Sequence, residues 1–135
     1  MEYVGEIDEH AKSAFLGQAS ALLFPVDWPE PFGLSMIEAM ACGTPVLAFR
    51  CGSVPEIIDP GVTGHIVRTM GEAIRILPQV LALDRRTVRQ RFEQRFSATR
   101  MAKDYVQVYR SLIKRPPLTE REAVMSRLEP DLEQV

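Results

Sequence analysis

The sequence lacks an apolar run that approaches the roughly 18 residues needed to cross a bilayer, and it does not open with a signal peptide's basic start and apolar core. Internal repeats and low-complexity segments are also absent. The formal net charge is only −2, which gives no overall preference for nucleic acid. These absences predict a cytoplasmic protein without a transmembrane segment and without a nucleic-acid partner.

Cysteine is scarce, since only Cys42 and Cys51 occur, and neither has a histidine or a further cysteine at metal-ligand spacing. We therefore interpret both as structural thiols and predict no metal site. A disulfide between them stays open, although a cytoplasmic setting disfavours it. The histidines, His10 and His65, are interpreted as packed or solvated side chains without a catalytic role.

The 135 residues are 46% hydrophobic and 25% charged, which is ordinary for one globular domain. Short apolar runs alternate with helical patterns, which predicts an α/β fold with a parallel sheet flanked by helices. The predicted strands are Tyr3–Val4, Ala21–Phe24, Val46–Phe49 and His65–Val67. The predicted helices are Asp8–Ala19, Gly33–Ala41, Val54–Ile58, Glu72–Leu83, Arg85–Phe92 and Ala98–Ile113.

Prolines divide the second half of the chain. Pro78 is expected to kink or split the helix predicted over residues 72–83. Pro116 and Pro117 end the last helix, so we predict a domain over residues 1–115 and a charged tail over residues 116–135, either helical or disordered. A basic cluster precedes the tail and consists of Arg85, Arg86, Arg89, Arg91 and Arg95. Such a cluster suits a polyanion or an anionic membrane, but nearby acids offset it, so we interpret it as a solvated helix face.

One carboxylate stands out, because Glu38 is the only acidic or basic residue between Glu30 and Arg50. Burying an unpaired carboxylate costs several kcal/mol, so a partner is expected nearby, and two hydroxyls of a ligand would serve. In the predicted helix, the residues expected to share the core face are Leu34, Ile37, Met40 and Ala41. Glu38 is then expected beside Leu34, at the margin of the core.

The residues before Glu38 predict a strand, a turn and a helix start. Ala21–Pro25 is typical of a short buried strand, because it is wholly apolar and ends in a breaker. This order places Glu30 and the amides of Phe32, Gly33 and Leu34 at the carboxyl end of a strand and the amino end of a helix, where anions bind. Gly33 is expected to let a phosphate or sugar approach the backbone closely, with simple turn chemistry as the alternative.

The stretch EPFGLSMIEAMACGTPV, from Glu30 to Val46, resembles a signature of retaining GT-B glycosyltransferases, in which two glutamates are separated by seven residues. These form the glycosyl transferase group 1, glycogen-synthase-like family. The resemblance continues through CGSVPEII from Cys51 and GVTGHIV from Gly61, and it covers most of residues 3–113. It implies a Rossmann-like domain that corresponds to part of the family's carboxyl-terminal, donor-binding domain.

The resemblance implies a donor site for a UDP-, GDP- or ADP-sugar, with no cofactor besides that substrate. Glu38 would hold the ribose hydroxyls, which agrees with the way dinucleotide folds use a carboxylate. Glu30, the implied catalytic residue, would contact hydroxyls of the transferred sugar, although a plain turn acid explains it equally well from sequence. The amides of Phe32, Gly33 and Leu34 would face the sugar and the diphosphate, and transfer would proceed with retention and without a metal.

The resemblance also implies missing parts. The family supplies an Arg and a Lys to the diphosphate from segments that precede this sequence, and it binds the acceptor with a separate amino-terminal domain. We therefore expect a fragment that is inactive unless another chain or subunit supplies the acceptor-binding domain. The strand Ala21–Phe24 would become an exposed sheet edge, which predicts a homo-oligomer.

Two other functions stay open. A noncatalytic assembly or regulatory module could have kept the fold without the chemistry, and it would form oligomers without binding nucleotides. An unrelated nucleotide-binding α/β domain would prefer mononucleotides to sugar diphosphates. Trp28, which precedes the motif, suits either a ligand-stacking aromatic or a rim residue that shields the turn.

Overall fold

The computed structural model describes residues 3–113 and contains a parallel sheet of three strands flanked by helices. The elements are α1 (Glu9–Gln18), β1 (Leu22–Phe24), α2 (Leu34–Ala41), β2 (Val46–Phe49), α3 (Val54–Ile57), β3 (Gly64–Val67), α4 (Met70–Leu81), α5 (Arg85–Phe96) and α6 (Ala98–Ile113). The strand order is β1-β2-β3, with Leu23 opposite Leu47 and Leu47 opposite His65. The predicted α/β class is confirmed.

The residues form two compact units, and the first ends at Arg100 with the whole sheet inside it. Within the second unit, α6 places the rings of Tyr105 and Tyr109 6.2 Å apart. No helix in the described range is long and apolar enough to cross a membrane. The tail predicted over residues 116–135 lies outside the described residues.

A predicted strand over Tyr3–Val4 and the predicted split of a helix at Pro78 are wrong. Tyr3–Val4 is not a strand, and Tyr3 is 94% exposed, because no strand in residues 3–113 lies beside this segment to pair with it. Pro78 does not split its helix, since α4 is continuous from Met70 to Leu81. Pro78 lies in the last turn, where the loss of one backbone donor leaves the preceding turns intact.

Helix α2 packs on one face of the sheet, and α1 and α5 pack against α2. We call this side of the sheet the covered face. Its core consists of Leu16, Met36, Ala39, Met40, Val46, Ala48, Val54, Ile57, Ile58 and Val88. The start of α1 is fixed by Asp8, whose side chain accepts the amide of Ala11 at 2.8 Å. Asp84 caps α5 in the same way, because its carboxylate accepts the amides of Arg86 and Thr87.

The other face, which we call the open face, is covered mainly by α4. Its buried core contains Leu47, Val67 and Val80. Leu23, Met70 and Ile74 border an apolar groove between β1 and α4, and they remain 57%, 59% and 70% exposed. Strand β1 lies at the sheet edge among the described residues, as the sequence predicts.

The basic cluster is solvated only in part, because Arg86, Arg89 and Arg91 are exposed but other contacts tie the cluster to neighbouring helices. Three of its members donate to backbone carbonyls near the carboxyl ends of other helices: Arg85 to Gly17 and Ala19, Arg89 to Ala41, and Arg95 to Glu56 and Ile57. These guanidinium groups complement the negative ends of α1, α2 and α3. The cluster therefore holds α5 against the rest of the covered face.

Candidate functional site

The candidate site begins in the turn between β1 and α2. Oε1 of Glu30 accepts hydrogen bonds from the amides of Phe32 and Gly33, at 3.3 Å and 3.1 Å. Both amides lie at the positively polarised start of α2. The chain's own carboxylate thus occupies the position where the sequence predicts an anion.

Gly33 caps α2 with a left-handed backbone, at φ 64°. A Cβ at this position would lie 2.3 Å from Cε of Met36 and 2.6 Å from Cδ1 of Ile57. Both atoms are ends of flexible side chains, so the positive φ is the stronger reason for glycine here. Turn chemistry thus explains Gly33, and close approach of a ligand stays a prediction.

Glu38 projects from α2 toward α1. Its Oε1 lies 3.0 Å from Nζ of Lys12, which lies 2.6 Å from Oε1 of Glu9. The side chain of Glu38 is 39% exposed, so Glu38 lies at the core margin, and its expected partner is an ammonium group on another helix. Hydrogen bonds to Glu9 and then to Glu38 raise the pKa of Lys12 above its ordinary value, which keeps the ammonium charged.

The buried face of α2 differs from the prediction. Met36, Ala39 and Met40 are fully buried, whereas Leu34 is 65% exposed. Among the residues predicted to share the core face, Met40 alone is fully buried. Nearly every position of α2 is apolar, so the sequence pattern does not determine which side packs on the sheet and α5.

The turn after β2 supports the Glu30 turn. The amide of Ser53 donates to the carbonyl of Glu30 at 2.9 Å. Gly52, at φ 51°, lies very close to the backbone of Glu30. A Cβ on Gly52 would lie 2.4 Å from the carbonyl oxygen and 2.5 Å from the nitrogen of Glu30. The hydroxyl of Ser53 is buried without a hydrogen-bond partner in the described part of the chain.

The sequence did not reveal the contacts that Lys12, Gly52 and the backbone amide of Ser53 make with the two glutamates. Lys12 has an acidic neighbour three positions earlier, but its contact with Glu38 joins residues 26 positions apart, which local patterns do not reveal. Gly52 follows a strand and precedes Ser53, which signals a turn but not the segment that the turn contacts. Cys42 and Cys51 are free thiols.

Comparison with known proteins matches residues 1–95 to the family model described as "Glycosyl transferases group 1". The chain is 37% identical over 95 residues to a D-inositol 3-phosphate glycosyltransferase of Mycobacterium tuberculosis, covering 67% of this chain and 20% of that protein. It spans about a fifth to a third of the length of the curated relatives that it matches.

Two solved structures share the fold. A sucrose-phosphate synthase from Thermosynechococcus elongatus aligns with a TM-score of 0.66 and 33% identity, over 83% of this chain and 30% of that chain. HepE from Anabaena, solved in complex with UDP, aligns with a TM-score of 0.59 and 22% identity, over 72% of this chain and 29% of that chain. The second likeness shows the fold alone.

Proposed function

Because the chain belongs to the group 1 glycosyl transferases, with a GT-B fold, we propose that it binds a nucleotide-sugar donor for transfer of the sugar, with retention, to an acceptor. One observation carries the proposal: the start of α2 has two convergent amides that already hold a carboxylate, and Glu38 follows at the exposed margin of the same helix. Uridine nucleotides are the first donors to test, because HepE from Anabaena, which shares the fold, was solved in complex with UDP.

Glu38 is proposed to bind the ribose. It lies five residues after Gly33, which corresponds to about 7.5 Å along the helix axis. This distance leaves separate positions for a ribose at Glu38 and for phosphates at the amides of the helix start. A carboxylate can accept two hydroxyl donors, and the ion pair with Lys12 uses Oε1. Lys12 also offsets the negative charge that Glu38 would otherwise present to the diphosphate.

Glu30 is proposed to move when the donor binds. Its carboxylate and the donor diphosphate are both anions, and both suit the amides of Phe32 and Gly33. Binding of the diphosphate would therefore release the Glu30 carboxylate, which would then accept hydroxyls of the transferred sugar. The amides, with that of Leu34, would stabilise the negative charge that develops on the leaving diphosphate.

The acceptor is proposed to bind a domain or subunit outside this sequence, because the chain spans a fifth to a third of its relatives. The chain by itself is then expected to bind the donor without transferring its sugar. A cytoplasmic location belongs to the same proposal.

Calorimetric titration with UDP, GDP and ADP, each with and without an attached sugar, tests the donor site. Glu38→Gln is expected to weaken UDP binding by about tenfold or more, because a charged acceptor of ribose hydroxyls is lost. Glu9→Gln is the matched control, since Glu9 also pairs with Lys12 but lies on α1. Equal affinity of UDP for the wild type and Glu38→Gln would remove the ribose assignment, and no binding of any nucleotide up to millimolar concentration would refute the donor site.

A noncatalytic assembly module is the second candidate, and the edge position of β1 with the exposed Leu23 favours it. It predicts a stable homo-oligomer that binds none of the nucleotides. Sedimentation at micromolar concentration tests this, with Leu23→Lys expected to dissociate the oligomer. A wild-type monomer would contradict self-association through this edge.

A further inference from the structure

We propose that Gly52 is a positioning residue: the turn over residues 51–53 fixes the backbone of Glu30 and thereby aims its carboxylate at the donor sugar. The inference rests on the proposed function, since it concerns the residue that would contact that sugar. It assigns a role in binding of the donor's sugar to a glycine that lies outside the Glu30 to Val46 motif.

The first support is steric. A Cβ on Gly52 would meet the carbonyl oxygen of Glu30 at 2.4 Å, its nitrogen at 2.5 Å and the carbonyl carbon of Pro29 at 2.9 Å. All three are backbone atoms, so no side-chain rotation relieves the contact. Any side chain at position 52 must therefore displace the backbone at Glu30.

The second support is the hydrogen bonding of Glu30. Its carbonyl accepts the amide of Ser53 at 2.9 Å, and its own amide donates to the carbonyl of Trp28 at 2.8 Å. Its carboxylate reaches the amides of Phe32 and Gly33. The backbone of Glu30 is thus held from the turn after β2, while its side chain acts at the start of α2.

The serine hydroxyl takes no part in this support. Oγ of Ser53 is buried and has no partner within residues 3–113, whereas its backbone amide makes the bond to Glu30. Ser53→Ala keeps that amide. It is therefore expected to leave the position of Glu30 unchanged.

Gly61 provides a matched control for the backbone. Gly52 and Gly61 both have positive φ, at 51° and 78°, so alanine is strained at either position. A Cβ at Gly61 would meet nothing within 4 Å. Gly52→Ala and Gly61→Ala thus share the conformational strain, but only the first displaces Glu30.

The experiment titrates the wild type, Gly52→Ala, Gly61→Ala and Ser53→Ala with UDP-glucose, GDP-mannose and ADP-glucose, and with each parent nucleoside diphosphate. The measured quantity is the affinity for the sugar nucleotide divided by the affinity for its parent nucleoside diphosphate. This ratio reports the contribution of the sugar to binding. Gly52→Ala is expected to lower this ratio by about tenfold and to change nucleoside diphosphate affinity by at most about threefold, since one charge-assisted contact is lost. Gly61→Ala and Ser53→Ala are expected to keep the wild-type ratio.

A folded Gly52→Ala protein with the wild-type ratio would overturn the positioning role while leaving the donor site intact. A wild-type ratio of one for all three pairs would remove the sugar contact of Glu30 and this inference with it. No nucleotide binding by the wild type would refute the proposed function before any variant is compared.

If Gly52→Ala does not fold, hydrogen exchange at the Ser53 amide in the wild type provides the test. This amide donates to Glu30, so its exchange is expected to slow further with the sugar nucleotide than with the nucleoside diphosphate at equal saturation. Equal exchange in the two complexes would overturn the positioning role.

Discussion

The two faces of the sheet are built differently. On the covered face, α1, α2 and α5 bury a continuous apolar core, and arginines of α5 bind the carboxyl ends of neighbouring helices. On the open face, α4 buries a smaller core and leaves Leu23 and Ile74 exposed beside a groove. The proposed donor-binding residues belong to α2 and the turn before it, so they lie on the well-packed side.

This difference between the faces assigns donor binding and self-association to opposite sides of the sheet. A binding site needs a rigid support, and the covered face provides it for Glu30 and Glu38. An exposed apolar groove beside an open strand edge instead favours association. Stability and donor binding are therefore expected to depend on the covered face, and self-association on the open face.

The largest expected effect is on the free energy of unfolding, and it is tested by comparing one methionine from each face. Met40 on α2 is fully buried, whereas Met70 on α4 is 59% exposed. Met40→Ala is expected to lower the free energy of unfolding by about 2–5 kcal/mol, because it removes buried contacts and leaves a cavity. Met70→Ala is expected to change it by at most about 0.5 kcal/mol. Urea denaturation followed by circular dichroism measures both, and equal losses would refute the difference between the faces.

The second-largest effect is expected at the arginines of α5 that donate hydrogen bonds to the ends of other helices. Arg85 donates to the carbonyls of Gly17 and Ala19 and to Oγ1 of Thr44. Arg85→Ala is expected to cost roughly 1.5–3 kcal/mol of unfolding free energy, because these acceptors lose a charged donor. The neighbouring Arg86 is exposed, so Arg86→Ala is the control and is expected to stay within about 0.5 kcal/mol. Unchanged urea midpoints in both variants would show that Arg85 contributes no more than a solvated side chain.

The elements whose patterns are local were predictable from the sequence. The strands β1 and β2 are short apolar runs bounded by turns, and both β3 and the helix start at Leu34 follow a glycine-containing turn. The α/β class followed from these patterns, whereas the position of β1 at a sheet edge followed from the family resemblance. The family resemblance then supplied the proposed roles of Glu30 and Glu38, which remain predictions.

Features that depend on tertiary contacts were not predictable. The partner of Glu38 is Lys12, on another helix, and the arginines of α5 reach helix ends distant in sequence. The buried side of α2 is decided by the elements packed on it, because its own sequence is apolar nearly all round. Tyr3–Val4 has strand-like residues but no neighbouring strand in the described range to pair with.

The third effect concerns the open face. Leu23 is 57% exposed at the sheet edge. Leu23→Lys is expected to reduce self-association while changing the free energy of unfolding by at most about 0.5 kcal/mol, since the charge stays in water. Sedimentation and urea denaturation of the same samples measure the two quantities. A large loss of stability would mean that Leu23 belongs to a packed core.

The smallest expected effect is a pH dependence of stability that comes from Asp84, the cap of α5 on the covered face. Hydrogen bonds from Thr87 and from the Arg86 amide lower the pKa of Asp84 below its ordinary value of 3.8. The folded-state pKa is thus below the unfolded one, so the cap stabilises α5 above pH 3.8, and this contribution is lost as the pH falls through the folded-state pKa.

Asp84→Asn is therefore expected to flatten the decline of the urea midpoint in acid. The exposed Glu6, outside the helices and strands, provides the control as Glu6→Gln. An unchanged acid decline in Asp84→Asn, or an equal flattening in both variants, would contradict the role of the cap.

The most direct test of the donor site follows backbone amide signals by nuclear magnetic resonance while UDP is added to the wild-type protein. We expect saturable shifts of the Phe32, Gly33 and Leu34 amides with one shared dissociation constant, and no comparable shift at Ile74 on the open face. Signals at the start of α2 that stay unchanged up to millimolar UDP, or shifts confined to the groove beside α4, would contradict the donor site.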